Sequence, residues 1–437
     1  MERRGCVDRL YLVVNQVWEE PLSKAKPFSI SKRVVLEAYK RVKVNKGAAG
    51  VDKESIADFE MNPKGNLYKI WNRMSSGSYF PPPVRAVEIG KKDGGRRRLG
   101  VPTVSDRIAQ MVAKIYFEPM VEGFFHPDSY GYRPNKSAIE AVGVARQRCW
   151  RYDWVLDLDI KGFFDNIDHE LMLRAVRKHT DCKWLRLYIE RWLKAPVQLE
   201  DGTLVPRDKG SPQGSVISPL LANLFLHYGF DEWMRRHHRM IPFERYADDI
   251  IVHCRSEAQA RFIKAKIEKR LLECKLEAHP EKTKLVYCKD SDRRGNYPNK
   301  RFDFLGYGFQ PRLAKDRWNR YFVTFSPAVS NKAAKSTRET IRGWKIHLMS
   351  DKSIIDLSRI FNPVIRGWIN YYGRFYKSAL YPIFNQLNGA MIKWATRKYK
   401  RLRARQRRAY YWLGRIARHN QNLFAHWQFG ARPAAGR

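Results

Sequence analysis

Apolar positions along the chain change period several times, and each change marks an element. In "SKRVVLEAYKRVKVNKG" Val34, Val35, Ala38 and Val42 fall on one helical face, and the pattern stops at Lys46-Gly47. Residues 1–80 read as mostly helical on this basis. "PPPVRAVEIGKKDGGRRRLGVP" alternates, turns at Asp93-Gly94-Gly95 and alternates again, which predicts a hairpin with a cationic tip. Helices follow to about residue 150. The period then drops to two in "DWVLDLDIKGFFDNIDH": Val155, Asp157 and Asp159 point one way, Trp154, Leu156, Leu158 and Ile160 the other. Helix resumes from about Asp168 to Leu193. "FERYADDIIVHC" predicts two short strands about a tight turn, followed by a helix to Cys274 and strand-like "LEAHPEKTKLVYC" and "KRFDFLGYGF". From about residue 326 helical stripes return: Ile341, Trp344 and Leu348; Ile354, Leu357 and Phe361; Ile383, Leu387, Met391 and Trp394, begun by Pro382. Three such helices predict a small bundle. The expected fold class is α+β, one multi-lobed enzyme rather than a string of separable modules.

Charge changes this picture from a generic enzyme to one with a polyanionic partner. The 437 residues carry 83 Lys and Arg against 44 Asp and Glu, a formal charge of +39. Basic residues interleave with Trp, Tyr and Phe along the chain, which suits phosphate tracking with base stacking better than a membrane surface. Around and past Trp394 the cations Lys393, Arg397 and Lys400 line one helical face, a one-signed density that would repel itself without a polyanion. The six cysteines show no CxxC pair and no His at zinc spacing, so they are expected to be ordinary reduced thiols of a cytosolic protein. No apolar stretch of about 20 residues spans a membrane, and the N-terminal stretch lacks a secretory cleavage pattern.

Against that background two adjacent acids, Asp248 and Asp249, stand in an apolar and aromatic segment. Close carboxylates repel and resist burial, so the pair asks for a cation. Neighbours on a regular strand point to opposite faces, so Asp248 and Asp249 converge only if they sit at a turn. Packing the 153–160 strand beside the 243–252 hairpin in one antiparallel sheet would bring Asp159 to the same place. Strand phase alone does not separate Asp157 from Asp159. Oxygen-only carboxylate ligands suit Mg²⁺, and two such ions about 3.5–4 Å apart would activate a 3′-hydroxyl and stabilise a leaving pyrophosphate.

"YADD", preceded in order by "DLDIKGFFDNIDH" and "GSPQGSVISPLLANLFL", resembles the palm of reverse transcriptases, and in detail the group II intron reverse transcriptase/maturase family. "RRLGVPTVSDRIAQ", "SYGYRPNKSAIEAV", "HPEKTKLV", "FDFLGYGF" and "RGWINYYGR" resemble successive blocks of that family, from roughly residue 35 to beyond 400. The resemblance implies a right-hand polymerase: an N-terminal extension over 1–80 that contacts template and intron RNA, fingers and palm over 81–312 with an antiparallel sheet, an α-helical thumb or domain X over 313–400, and a basic tail over 401–437, either a reduced DNA-binding segment or more thumb. It implies Asp159 and Asp248 as main ligands of two Mg²⁺ ions, with Asp249 completing the cluster. Lys91 and Arg97 match residues that hold the incoming triphosphate, and Gln213 one that lines the nucleotide site. Gly214 is placed to let backbone approach template or substrate, or is a simple turn glycine. Phe164 matches an aromatic beneath the sugar that would collide with a 2′-hydroxyl; adjacent Phe163 reads as core. Lys282 is placed to neutralise or protonate pyrophosphate, with Lys284 as competitor. For RNA binding the candidates are Arg366, Trp368, Tyr371 and Arg374, then Lys393 and Arg397, some of the rings being core instead.

The implied function is an RNA-directed DNA polymerase of a group II intron that also binds the intron RNA to assist splicing and mobility. Its expected partners are group II intron RNA, an RNA template with a DNA primer, dNTPs and target DNA, in the bacterial cytosol, with no membrane and no dedicated protein partner. No HNH endonuclease segment with paired cysteines follows the thumb-like region, so the primer is expected from elsewhere, such as a replication fork. The rivals are an RNA-binding splicing factor with a dead palm, a defence or CRISPR-associated reverse transcriptase, and an RNA-templated RNA polymerase. Intact acids in all three blocks and Phe164 count against the first and last, and "RGWINYYGR" favours the intron reading over the second.

Overall fold

Helix Lys32–Val44 buries the apolar face its spacing demands, Val34, Val35, Ala38 and Val42, and starts where the Ser31 hydroxyl accepts from the Arg33 amide at 3.2 Å. The computed structural model to which it belongs describes residues 26–90 and 96–434. Strands are numbered in chain order: β1 Val84–Gly90, β2 Arg96–Val101, β3 Trp154–Leu158, β4 Val197–Gln198, β5 Leu204–Val205, β6 Phe243–Tyr246, β7 Asp249–Cys254, β8 Lys284–Tyr287, β9 Phe302–Phe304, β10 Tyr307–Lys315 and β11 Tyr321–Val329. Helices and strands are thus mixed, as the alternating periods predict. The chain divides into two units, one from the residues up to Phe125 with Gly162–Tyr228, the other from His126–Lys161 with Gly229 onward.

In the first unit helix Lys32–Val44 lies against helix Val104–Glu122. The latter is nearly buried over its first turns, and its buried Asp106 accepts from Tyr79 Oη (2.8 Å), Trp192 Nε1 (2.8 Å) and Gln110 Nε2 (2.9 Å). Burial raises the Asp106 pKa to about 6 even though the three donors pull it down. A small sheet runs β2-β1-β4-β5, with β1 and β2 antiparallel and β4 parallel to β1. The expected hairpin is therefore present, although its turn lies outside the described residues. Helices His169–His179, Lys183–Lys194 and Ser218–Leu226 complete the unit.

The second unit is built on an antiparallel sheet in the order β6-β7-β3-β8. Helix Ala138–Cys149 packs on β6 and β7, and helix Glu257–Glu273 on β3, β7 and β8. The alternation in β3 is realised: Val155 joins Ile251 and Val286 in one core, and Leu156 and Leu158 are buried on the other side. A second sheet, β11-β10-β9, carries a hairpin in which β10 and β11 pair over nine residues each, from Tyr307↔Val329 to Lys315↔Tyr321. The helical pattern expected from 326 therefore begins only at Asn331, and position 312 falls inside β10 rather than at a boundary.

Helices Asn331–Gly343, Ile354–Tyr372 and Tyr381–Lys398 form the expected bundle around Ile341, Leu357, Phe361, Ile383, Leu387, Met391 and Trp394. Leu348 leaves the stripe assigned to it and is exposed, because the helix has ended and a 3₁₀ turn spans Ile346–Leu348. The same core continues through Leu413 of helix Gln406–His419 and Trp427 of Ala425–Gln428. Residue 400 thus marks no break in packing. Among the described residues no helix is long and apolar enough to cross a membrane, and Cys149, Cys182, Cys254, Cys274 and Cys288 are free thiols.

Candidate active site

The acids of the second unit meet where two strands end. Leu158 of β3 pairs with Ile250 of β7, so the next residue along the chain, Asp159, comes level with Asp249 at the start of β7. Tyr246 pairs with Asp249, which leaves Ala247 and Asp248 as a two-residue hairpin turn. Ala247 has φ +57°, a left-handed conformation that glycine takes without strain and alanine does not. Turn geometry is what lets adjacent aspartates escape the alternation of a strand.

Buried polar groups hold this strained turn. Arg245 is 0% exposed and donates from Nε and Nη2 to both carboxylate oxygens of buried Asp231, at 2.7 and 2.6 Å, while its Nη1 donates to the Ala247 carbonyl at 3.1 Å. Next door the Glu244 carboxylate takes Arg148 Nη1 on one oxygen and His253 Nε2 on the other, each at 2.6 Å. Gly131 presses on the same turn: a Cβ there would stand 2.5 Å from the Ala247 amide nitrogen. None of these supports was singled out from the sequence. The visible signal was two adjacent charges, Glu244 and Arg245, inside a short buried strand.

Electrostatics marks the cluster as short of positive charge. Burial and then the neighbouring Asp249 and Asp159 push the Asp157 carboxyl up to about 8. Asp249 is open to water at its outer edge, yet the surrounding protein mass, with Asp248 and Asp159, raises it to about 7. Lys282 Nζ lies 3.0 Å from Asp159 Oδ2, which distinguishes it from Lys284, paired through its backbone with Asp157 in β8. Among the described residues no group of three or more His, Cys, Asp or Glu side chains is drawn together closely enough to hold a metal ion as they stand. The donors nevertheless fit Mg²⁺: they are hard carboxylate oxygens whose mutual repulsion a divalent cation would relieve.

In the first unit the remaining candidates lie on the short helix Phe163–Asn166, the 209–215 loop and β2. Ser211 N donates to the Phe164 carbonyl at 2.7 Å, tying the 209–215 loop to the short helix Phe163–Asn166. Phe163 stacks edge-on with Phe164 and reaches Phe225, so it is core; Phe164 is itself buried, 7% exposed. Gln213 is half-buried, and its carbonyl accepts from Gly100 N at 2.8 Å. Gly214 has φ +120° and a Cβ there would meet the Gly100 carbonyl at 2.6 Å, so β2 already accounts for this glycine. Gln110 fastens the far side of the loop, its Oε1 accepting from Val216 N at 2.9 Å. Arg97 pairs through its backbone with Ile89 in the β1–β2 hairpin; its side chain and all of Lys91 lie outside the described residues.

The helical-bundle candidates divide by burial. Arg366, Arg374, Lys393 and Arg397 are exposed. Trp368 instead stacks on Trp344 at 5.4 Å, and Tyr371 donates from Oη to the Leu305 carbonyl at 2.8 Å. Both rings hold the bundle together or to its neighbouring sheet.

Residues 89–309 match the family model described as reverse transcriptase (RNA-dependent DNA polymerase), and residues 334–412 match that of the group II intron maturase-specific domain. Over 194 residues the chain is 36% identical to the group II intron-encoded protein LtrA of Lactococcus lactis subsp. cremoris, covering 44% of this chain and 32% of that protein. Over 198 residues it is 35% identical to protein YkfC of Escherichia coli (strain K12), covering 44% of this chain and 51% of that one. A putative COX1/OXI3 intron 1 protein of Saccharomyces cerevisiae is 30% identical over 227 residues, 51% of this chain and 27% of the yeast protein. The matches span at most about half the length of these relatives.

Proposed function

The chain belongs to the reverse transcriptase (RNA-dependent DNA polymerase) family and carries a group II intron maturase-specific domain, and from that premise we propose that it is an RNA-directed DNA polymerase that also binds group II intron RNA to assist splicing and mobility. The observation that carries the polymerase reading is the turn at 246–249, which sets Asp248 and Asp249 against the end of β3 beside Asp159. In this reading the sheet β6-β7-β3-β8 is the palm, the β1–β2 hairpin belongs to the fingers, and the helical bundle is the thumb.

Asp159, Asp248 and Asp249 would hold two Mg²⁺ ions, which when bound supply an acidified primer 3′-hydroxyl and charge stabilisation at the leaving pyrophosphate. The chain's own residues do the rest. Arg245 and Gly131 hold the turn so that its carboxylates need no reorganisation when substrate arrives. Lys282, free to leave Asp159 once a cation takes its place, neutralises the departing pyrophosphate. Lys91 and Arg97 bind the triphosphate, Gln213 lines the nucleotide site, and Phe164 excludes a 2′-hydroxyl. The exposed Arg366, Arg374, Lys393 and Arg397 meet RNA phosphates, a binding role that stabilises folded RNA whose own groups do the cutting. RNA template, DNA primer and target DNA are the other partners, in the bacterial cytosol.

Primer extension on an RNA template with Mg²⁺, offering dNTPs or NTPs, tests this. Wild type is expected to build DNA and to refuse NTPs, and Asp248→Ala to lose synthesis at least about a thousandfold, since it removes a metal ligand from the reacting centre. An intact, RNA-binding wild-type protein that extends nothing would remove the polymerase claim.

A further inference from the structure

The β10–β11 hairpin ends in a tip that the polymerase reading does not use. Its loop is tightly built: Asp316 Oδ1 accepts from the amides of Trp318 (2.8 Å) and Arg320 (2.9 Å), Oδ2 accepts from Arg320 Nε (2.9 Å), and Asn319 takes a left-handed φ of +64°. This order sends Trp318 outward, 60% exposed, with the guanidinium of Arg317 at 3.9 Å from its ring centroid and that of Arg320 at 5.0 Å. One step down the ribbon, Tyr321 is 67% exposed and pairs across the strands with Lys315, whose ammonium lies 5.0 Å from the ring.

Leu313, Trp318, Tyr321 and Phe322 are exposed together along this end of the ribbon, and a cluster of exposed apolar side chains marks a contact where single ones do not. The flanking charges say with what. Three cations surround the rings, and the only acid in the loop, Asp316, is consumed by the turn itself and by Arg320. An acidic or apolar protein strand would be met by either rings or charges, whereas a single-stranded polynucleotide supplies both partners at the right spacing: a base face for each ring and a phosphate for each cation. A duplex hides its base faces except at its ends. We propose that the tip of the β10–β11 hairpin binds single-stranded nucleic acid, a base stacking on Trp318 with the neighbouring phosphates on Arg317 and Arg320, and a second base on Tyr321. The inference rests on the nucleic-acid-binding part of the proposed function, not on the chemistry of the acids.

Fluorescence anisotropy with the full chain tests it, using a labelled oligouridylate, the matching oligodeoxythymidylate, a blunt RNA–DNA hybrid, and vesicles of phosphatidylcholine with phosphatidylserine. The tip touches no core, so Trp318→Ala should melt like wild type. It should weaken binding to the single strands by about five- to a hundredfold, the range for loss of one base–ring stack, leave the blunt hybrid within twofold, and be largely rescued by Trp318→Phe. Equal loss on RNA and DNA assigns the tip to any exposed strand, and loss on the RNA alone assigns it to RNA. Unchanged single-strand affinity in Trp318→Ala with Tyr321→Ala overturns the proposal, as does an equal loss on the hybrid or a loss seen on vesicles instead. Wild-type primer extension, run beside it, reports separately on the polymerase reading: extension with unchanged tip-variant binding would sink this inference and leave that one standing.

Discussion

At the scale of single residues the unexpected feature is that a cation, Arg245, sits wholly inside the protein one step from the acids and holds a left-handed alanine. Replacing it with Met strands Asp231 as a buried charge with no partner, which should cost about 3–5 kcal/mol in chemical denaturation. Stability loss alone would not show a positioning role, so the informative variant is Arg245→Met with Asp231→Leu. Removing both charges should return most of the stability, while nothing then holds the Ala247 carbonyl. The DNA extension rate of the double variant is expected to stay about ten- to a hundredfold low, the effect of a small misplacement of reacting groups, with template affinity unchanged. A double variant that extends at the wild-type rate would reduce the pair to a packing feature. The sequence made the acids visible because paired carboxylates in an apolar segment are costly without a reason. It did not make Arg245–Asp231 visible, because the partners are 14 residues apart on a strand and at a helix start, and nothing in either local pattern points to the other.

At the scale of elements, strands with one dry face were readable and the strand without one was not. β3 was readable because its face of Trp154, Leu156 and Leu158 is wholly apolar and buried, while its other face passes from buried Val155 to the acid Asp157. β11 escaped the sequence reading since Tyr321 and Phe322, on opposite faces of the ribbon, are both exposed near the tip, so period two carries no contrast there. The segment after residue 400 illustrates the reverse: its charge suggested a basic tail, either a reduced DNA-binding segment or more thumb, and a hub of polar bonds fastens it to the bundle. Asn388 Oδ1 accepts from Trp427 Nε1 at 3.0 Å and pairs with His426 Nε2 at 2.9 Å, and its amide donates to the Ala431 carbonyl at 3.1 Å. Burial lowers the His426 pKa from 6.5 to about 3, so the folded bundle holds the neutral ring while the unfolded chain protonates below 6.5. Its contribution is therefore complete above pH 6.5 and is lost progressively as pH falls toward 3. The thermal midpoint should drop between pH 7 and pH 5, and His426→Asn should lower it at pH 7 but flatten that acid slope. An acid slope identical in variant and wild type would place the titrating group elsewhere.

At the scale of the whole molecule the issue is where a formal charge of +39 goes. Many of the acids are used locally, in helical pairs such as Arg41–Glu37, Lys194–Glu190 and Arg261–Glu257, and pairs of that kind add little to stability. The surplus cations gather instead on surfaces such as the cleft of about 610 Å³ in the helical bundle lined by Lys393, Arg397, Arg403 and Gln406. If such surfaces meet phosphates, each contact releases condensed counterions, and affinity must fall along a straight line in log salt with a slope of roughly 0.7–0.9 per phosphate met. The Lys393→Ala, Arg397→Ala, Arg403→Ala variant should then bind folded intron RNA more weakly at low salt and with a slope shallower by about 2. The two effects are linked: lost affinity with an unchanged slope means damage to the bundle rather than to phosphate contacts. An unchanged slope and unchanged affinity together would mean that the RNA is held by other surfaces and that this cleft is only a solvated basic face.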